Sequence, residues 1–212
     1  APKIAEVRAE EFAAFRLRQS LRGLKAAPTT RVCRQHGIAK MIILTTNRLV
    51  LRHLELGDLD ALYALYRDPE MRRYFPDGIR TFDETREELE WHQHGHPRHP
   101  ELGLWATVER ETGKFLGRCG LLPWTIDGSL EVELAYMIAK DHWGLGLATE
   151  AAQGIVRYAR EQLGRTRLIC LITHGNVAST RVAEKVGMSY ERDFTDEFGP
   201  CMIYSVAFGS TA

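Results

Sequence analysis

The stretch Tyr136-Met137-Ile138-Ala139-Lys140-Asp141-His142-Trp143-Gly144-Leu145-Gly146-Leu147-Ala148-Thr149-Glu150-Ala151 runs from a strand, through a glycine-bearing turn, into a helix. Such a passage can hold a phosphate. Backbone N–H groups at a helix start converge on an anion, the helix dipole assists, and glycine lets the main chain come close and take positive φ. The Thr149 hydroxyl adds a further donor. An ordinary strand-to-helix turn carries the same glycines, so a purely structural turn remains open at this point. Two nucleotide-binding readings fail on spacing. A nicotinamide fingerprint needs a third glycine where Thr149 stands and an acid at the end of the next strand, where the chain has Thr173-His174-Gly175. A P-loop needs Gly-Lys-Ser/Thr, which is not here.

Two other sets of side chains invite chemistry. His92, His94, His96 and His99 crowd a short segment, but their spacing matches no standard zinc site and Gly95 and Pro97 make it a loop, so a solvated rim is expected and no metal. Cys33, Cys119, Cys170 and Cys201 are far apart with no CxxC pair, and Cys119 and Cys170 lie in apolar runs, which reads as buried free thiols.

The elements that must position the glycine turn follow from periodicity. Residues 48–54 alternate like a half-buried strand, and a helix opens at Gly57-Asp58, with Asp58 as N-cap, and stops before Asp68-Pro69. Thr81-Phe82-Asp83-Glu84 has capping-box spacing ahead of a helix to about Trp91, followed by a loop. Residues 104–109, 115–122 and 130–138 read as strands joined by short turns, which favours antiparallel neighbours. A helix over 147–163, a strand over 168–173, a helix over 176–186 and a hairpin over 188–194 and 201–208 complete a mixed αβ order.

Composition bounds the whole. A chain of 212 residues, 44% hydrophobic and 26% charged, suits one globular domain, or one domain with an extension. No apolar run approaches the roughly 18 residues of a membrane span, and no secretory signal is visible, so a cytoplasmic protein with no membrane partner is expected. The zero net charge is uneven: residues 1–40 hold nine Lys/Arg and three Asp/Glu, net +6, which taken from 28 and 28 leaves 41–212 with 19 and 25, net −6. That acidic body gives no footprint for nucleic acid and tolerates a cationic substrate. In residues 1–40, Ile4, Val7, Phe12, Phe15, Leu21 and Leu24 fall at loose helical spacing, which reads as a basic helical extension; the domain proper is read as 41–212, with Met41 readable as a natural start. Glu6, Glu10 and Glu11 argue against a transit peptide.

Three segments carry a resemblance. Trp143-Gly144-Leu145-Gly146-Leu147-Ala148 resembles the acyl-CoA signature Gln/Arg-x-x-Gly-x-Gly/Ala of the GNAT superfamily, and Ala148-Thr149-Glu150-Ala151 sharpens the match. It is similar to the branch that includes the ribosomal-protein N-terminal (alanine/serine) acetyltransferases, where an aromatic commonly replaces Gln/Arg. Asn176-Val177-Ala178-Ser179-Thr180-Arg181-Val182-Ala183-Glu184-Lys185-Val186-Gly187-Met188 resembles that branch's Asn-x-x-Ser…Glu-Lys-x-Gly-Phe segment, and Asn47-Arg48-Leu49-Val50-Leu51-Arg52 a third. Together they cover about residues 45–208, in order.

The resemblance implies an α/β (α+β) fold, with a mixed, mostly antiparallel central sheet flanked by helices and a V-shaped splay between the strands at 130–138 and 168–173. It implies acetyl-CoA as cosubstrate, with the pyrophosphate on the amides of Trp143, Gly144, Leu145, Gly146, Leu147, Ala148 and Thr149. Main-chain groups around Met137 and Ile138 would pair with the pantetheine arm and stabilise the oxyanion. Asn176 would bond that arm, unless it is a plain helix cap. The reaction implied is direct attack of a neutral amine, on a protein N-terminus or a small molecule, with no metal. Glu133 is the candidate base and Glu131, on the same strand face, its reserve. Many relatives place a tyrosine acid where this chain has Ala183; Ser179, one turn earlier on the same helix face, is the candidate acid instead. A route through Cys119 or Cys170 lacks an evident base beside either thiol. Tyr74, Phe75, Trp91 and the histidine loop are candidates for the acceptor rim, with core packing the equal reading for the aromatics. A monomer or homodimer is expected. The function from a different class is a catalytically weak acyl-CoA-binding sensor or scaffold.

Overall fold

A computed structural model describes residues 42–196 and 199–209; the extension expected over 1–40 lies outside them. The chain divides into units 1–41 and 42–212, and everything below concerns the second.

Among the described residues, eight strands form one sheet: β1 (Ile42–Thr45), β2 (Leu49–His53), β3 (Gly103–Glu109), β4 (Phe115–Ile126), β5 (Ser129–Ile138), β6 (Arg167–Thr173), β7 (Ser189–Asp196) and β8 (Gly199–Ala207). Their order is β1-β2-β3-β4-β5-β6-β8-β7, and every pairing is antiparallel except that of β5 with β6. Helices α1 (Leu59–Tyr66), α2 (Pro69–Arg72) and α3 (Phe82–His92) come before β3, while α4 (Leu147–Glu161) and α5 (Val177–Lys185) flank β6.

Alternation along β5 divides the core. Val132, Leu134 and Ile138 pack with Ala151, Ala152 and Ile155 of α4 and with Ala183 of α5. Ala135 and Met137 face the other way, against Leu62, Tyr66 and Leu89 of α1 and α3. Glu131 and Glu133 share the parity of Ala135. Each face therefore buries a separate apolar cluster, worth about 25 cal/mol per Å² removed from water.

The expected strands and helices form, with differences at their ends. The strand β1 was not expected from the sequence; its Ile-Ile-Leu run is short and half-exposed at the sheet edge. The strand read as 115–122 continues through Pro123 to Ile126, because β5 pairs along its whole length, to Ile126↔Ser129. Asp58 does not cap α1 through its side chain. Its carboxylate instead accepts from Nη1 and Nη2 of buried Arg52, at 2.7 Å each, and from the Glu55 amide at 2.9 Å. A buried arginine needs that partner more than the helix needs a cap. The capping box of Thr81 and Glu84 forms as expected.

Candidate active site

The glycine turn joins the end of β5 to α4. After Ile138 a 3-10 turn (Lys140–His142) reverses the chain, then Gly144 and Gly146 take φ of 76° and 74°. Gly146 is the N-cap of α4, and having no side chain it supplies no cap. The first helical amide with a backbone partner is that of Glu150, which donates to the Gly146 carbonyl at 3.0 Å. The N–H groups of Gly144, Leu145, Gly146, Leu147, Ala148 and Thr149 have no acceptor among the described residues. Such a row of unpaired donors on a dipole end is the geometry that holds an anion. The Trp143 amide does not join it, since it donates to the Lys140 carbonyl at 3.0 Å. The space is open: a Cβ built on Gly144 meets nothing within 4 Å, and one on Gly146 meets only Arg48 Nη2, at 3.8 Å.

The expected splay is present. Strands β5 and β6 share a single register pair, Glu133↔Ile169, and beyond it residues 134–138 and 170–173 have no ladder partner in each other. The Cys170 thiol donates to the Leu134 carbonyl at 3.2 Å and so closes the apex of the V. Burial pushes the thiols of Cys170 and Cys119 above their ordinary value, so neither is a thiolate nucleophile.

Which β5 groups face the opening follows from antiparallel alternation. The Ala139 amide donates to Leu116 of β4 at 2.8 Å, which turns the main chain of Met137 toward β4 as well. Leu134, Tyr136 and Ile138 therefore turn toward β6. Among the main-chain groups expected to meet a ligand, those of Ile138 face the opening and those of Met137 do not; those of Tyr136 face it as well. The Ile138 carbonyl already accepts the Trp143 indole N–H at 2.6 Å.

Side chains bridge the arms of the V. The Tyr136 hydroxyl donates to the Ser179 carbonyl of α5 at 2.8 Å, and burial raises that hydroxyl well above its usual range. On the opposite face Thr173 Oγ1 donates to the Tyr74 carbonyl at 2.8 Å, and the Tyr74 hydroxyl donates to the Gly175 carbonyl at 2.9 Å. Lys140, just past β5, pairs with Asp68 at 2.6 Å. The segment around α2 thus straps the end of β5 to the end of β6.

Asn176 is the N-cap of α5, and its Oδ1 accepts the Ser179 amide at 3.2 Å, so the cap reading is realised by the oxygen. Both main-chain groups of Ser179 are engaged, which pins that residue at the mouth of the V. Glu133 is half-buried and accepts the Trp124 indole N–H at 2.6 Å. Glu131 instead accepts Arg167 Nε at 3.1 Å, and Arg167 also reaches Glu191 at 2.7 Å.

The histidine loop expected as a solvated rim is only partly so: His94 is exposed and His99 half-buried, while for Trp91 the core-packing reading holds. Trp91, His92 and His96 are buried. The Leu104 amide donates to His92 Nδ1 and the Arg98 amide to His96 Nδ1, each at 3.3 Å, so these rings order their own loop. No group of three or more His, Cys, Asp or Glu that could hold a metal ion is gathered among the described residues. Phe75 stacks under the Arg72 guanidinium, 4.3 Å from its centroid. The sequence reading missed Tyr136, Trp124, Lys140 and the pairing of Arg48 with Glu150. Only the last had a signal, since both residues stood in matched motifs.

Comparison with known proteins agrees with this geometry. A family model described as Acetyltransferase (GNAT) domain matches residues 48–189. An uncharacterized protein of Bacillus subtilis, YkkB, is 36% identical over 162 residues, covering 76% of this chain and 93% of its own. Among solved structures, a GNAT-family acetyltransferase from Bacillus anthracis superposes with a TM-score of 0.67 at 21% identity, covering 79% of this chain and 98% of its own. RimL, a ribosomal L7/L12 α-N-protein acetyltransferase solved with coenzyme A, gives 0.63 at 16% identity, covering 79% and 98%.

Proposed function

The chain belongs to the GNAT acetyltransferase family and is an acetyl-CoA-dependent N-acetyltransferase, and from that premise we propose that it acetylates a primary amine, on a protein N-terminus or a small molecule, by direct attack. The observation that carries this reading is the continuity of two open features. A β5 edge at Tyr136 and Ile138 that has no ladder partner in β6 leads straight into the unpaired amides of residues 144–149. One extended ligand with an amide-bearing arm and a diphosphate fits that path, the arm adding itself to a sheet edge and the anion sitting on the helix start.

Acetyl-CoA supplies an activated acyl group. The Ile138 and Tyr136 main chain would align the arm, the Gly144 to Thr149 amides would hold the diphosphate, and the Asn176 carboxamide, whose oxygen caps α5, has its N–H donors for the arm. Glu133, at the last paired position before the strands part, would accept the amine proton directly or through water. Ser179, pinned by Asn176 and Tyr136, would return a proton to the leaving thiolate. The acidic balance of residues 41–212 favours a cationic acceptor.

The test is thiol release from acetyl-CoA over peptides, polyamines and aminoglycosides, with mass detection of the product. Amine-dependent release with an N-acetylated product is expected. Binding of acetyl-CoA without turnover on every class would favour the sensor reading instead.

A further inference from the structure

We propose that Arg48 is a positioning residue for the glycine turn, bracing it from outside and screening the Glu150 carboxylate from the diphosphate; this rests on the reading of that turn as the diphosphate site. Arg48 lies in the β1–β2 connection, far in sequence from α4, yet it contacts both sides of the turn. Its Nη1 donates to the Leu145 carbonyl at 3.0 Å, its Nε to Glu150 Oε2 at 2.6 Å, and its own amide to Glu150 Oε1 at 2.8 Å. Thr46 Oγ1 donates to the same Oε1 at 2.6 Å.

The arrangement answers two physical problems. Leu145 sits between two glycines of positive φ, and such a turn has little stiffness of its own, so a bond to its carbonyl fixes the direction of the amides around it. Glu150 stands in the first turn of α4, where a carboxylate favours the helix but repels any anion bound at the same end. Burial alone would raise the Glu150 carboxyl; hydrogen bonds from Thr46 and from both donors of Arg48 outweigh it and hold the group below the usual carboxylate range. Arg48 Nη2 then stands beside Gly146, 3.8 Å from where a Cβ on that glycine would lie. The Arg48 side chain is 51% exposed, and exposed ion pairs contribute about 0–1 kcal/mol to stability, so overall stability accounts poorly for a three-bond clamp.

The test compares Arg48→Gln with the native chain in equilibrium titrations of acetyl-CoA and of S-acetyl-pantetheine, which lacks the diphosphate. Acetyl-CoA affinity is expected to fall by about tenfold or more, the scale of a charge-assisted hydrogen bond, while affinity for the truncated donor stays native. Equal losses toward both donors, or none toward acetyl-CoA, would overturn the inference. Should Arg48→Gln fail to fold, Arg48→Lys, which keeps the charge but not the fork, carries the same comparison with a smaller loss confined to acetyl-CoA. If the native chain itself showed no preference for acetyl-CoA over the truncated donor, the diphosphate reading would fall first, and this inference with it.

Discussion

Two carboxylates two residues apart on β5 have different partners, and the base role proposed for Glu133 rests on that difference. Glu131 is committed to Arg167, whose Nε donates to both of its carboxylate oxygens at 3.1 Å. Glu133 accepts the Trp124 indole N–H, a neutral donor that orients it. We therefore expect Glu133→Gln to reduce turnover by at least about a hundredfold, the lower end of what a positioned base contributes, with acetyl-CoA affinity nearly unchanged. The mutant should regain part of its rate as pH rises and free amine becomes abundant. Steady-state rates across pH, beside a titration of the donor, check this; near-native turnover at neutral pH would move the role to Glu131 or to the fraction of amine already neutral. The shared parity of the two acids was legible in the sequence because a strand alternates. Their partners were not, since Trp124 and Arg167 reach them through sheet pairings that no local pattern encodes.

At the scale of elements, strands with clear alternation and helices with strong caps were legible: the Thr81–Glu84 box and the Asn176 cap appear where expected. What escaped was set by competition between tertiary partners, as with Asp58 drawn to Arg52, or by pairing length, as with β4 continuing past Pro123. The splay was implied by resemblance alone, because nothing in residues 134–138 shows that they lack a partner in β6. Element geometry also separates the cap made by Asn176 from the ligand contact proposed for it. Asn176→Asp keeps an oxygen acceptor at the cap and adds a charge that suits a helix start, but removes the amide donor. Its melting temperature should stay within about 2 °C of native, consistent with a surface change under roughly 0.5 kcal/mol, while acetyl-CoA affinity falls about three- to tenfold. Unchanged affinity would leave Asn176 as a cap only.

On the scale of the whole domain, the α1–α3 face holds a buried polar network beside the cleft. Arg118 Nε donates to the Tyr66 hydroxyl at 2.9 Å, and that hydroxyl donates to Glu88. Burial alone would raise the Glu88 carboxyl, but Arg118, His92, Tyr66 and Arg80 hold it below its usual range. A depressed carboxyl contributes stability above its unfolded value, near pH 4, and loses it as pH falls through the folded value. Glu88→Ala strands Arg118, which is only 6% exposed, so a loss of about 3–5 kcal/mol is expected at pH 7, shrinking below about pH 4. Denaturant titrations at both pH values check it, and a pH-independent difference would assign the loss to packing. The matched family segment, residues 48–189, begins beyond Met41, so a chain starting at Met41 is expected to bind acetyl-CoA; failure to bind while the full chain succeeds would make residues 1–40 part of the binding unit.

The glycine turn as the acetyl-CoA site is tested most directly by calorimetric titration of acetyl-CoA into the native chain and into Gly146→Glu. The new side chain would enter the space over the unpaired amides, at a residue whose φ of 74° already disfavours it, and would place a negative charge against the diphosphate. A folded mutant should lose more than about 3 kcal/mol of binding free energy, roughly a hundredfold in affinity. Native affinity in that folded mutant would put the phosphates elsewhere and contradict the assignment of this turn and of the strand edge that leads into it.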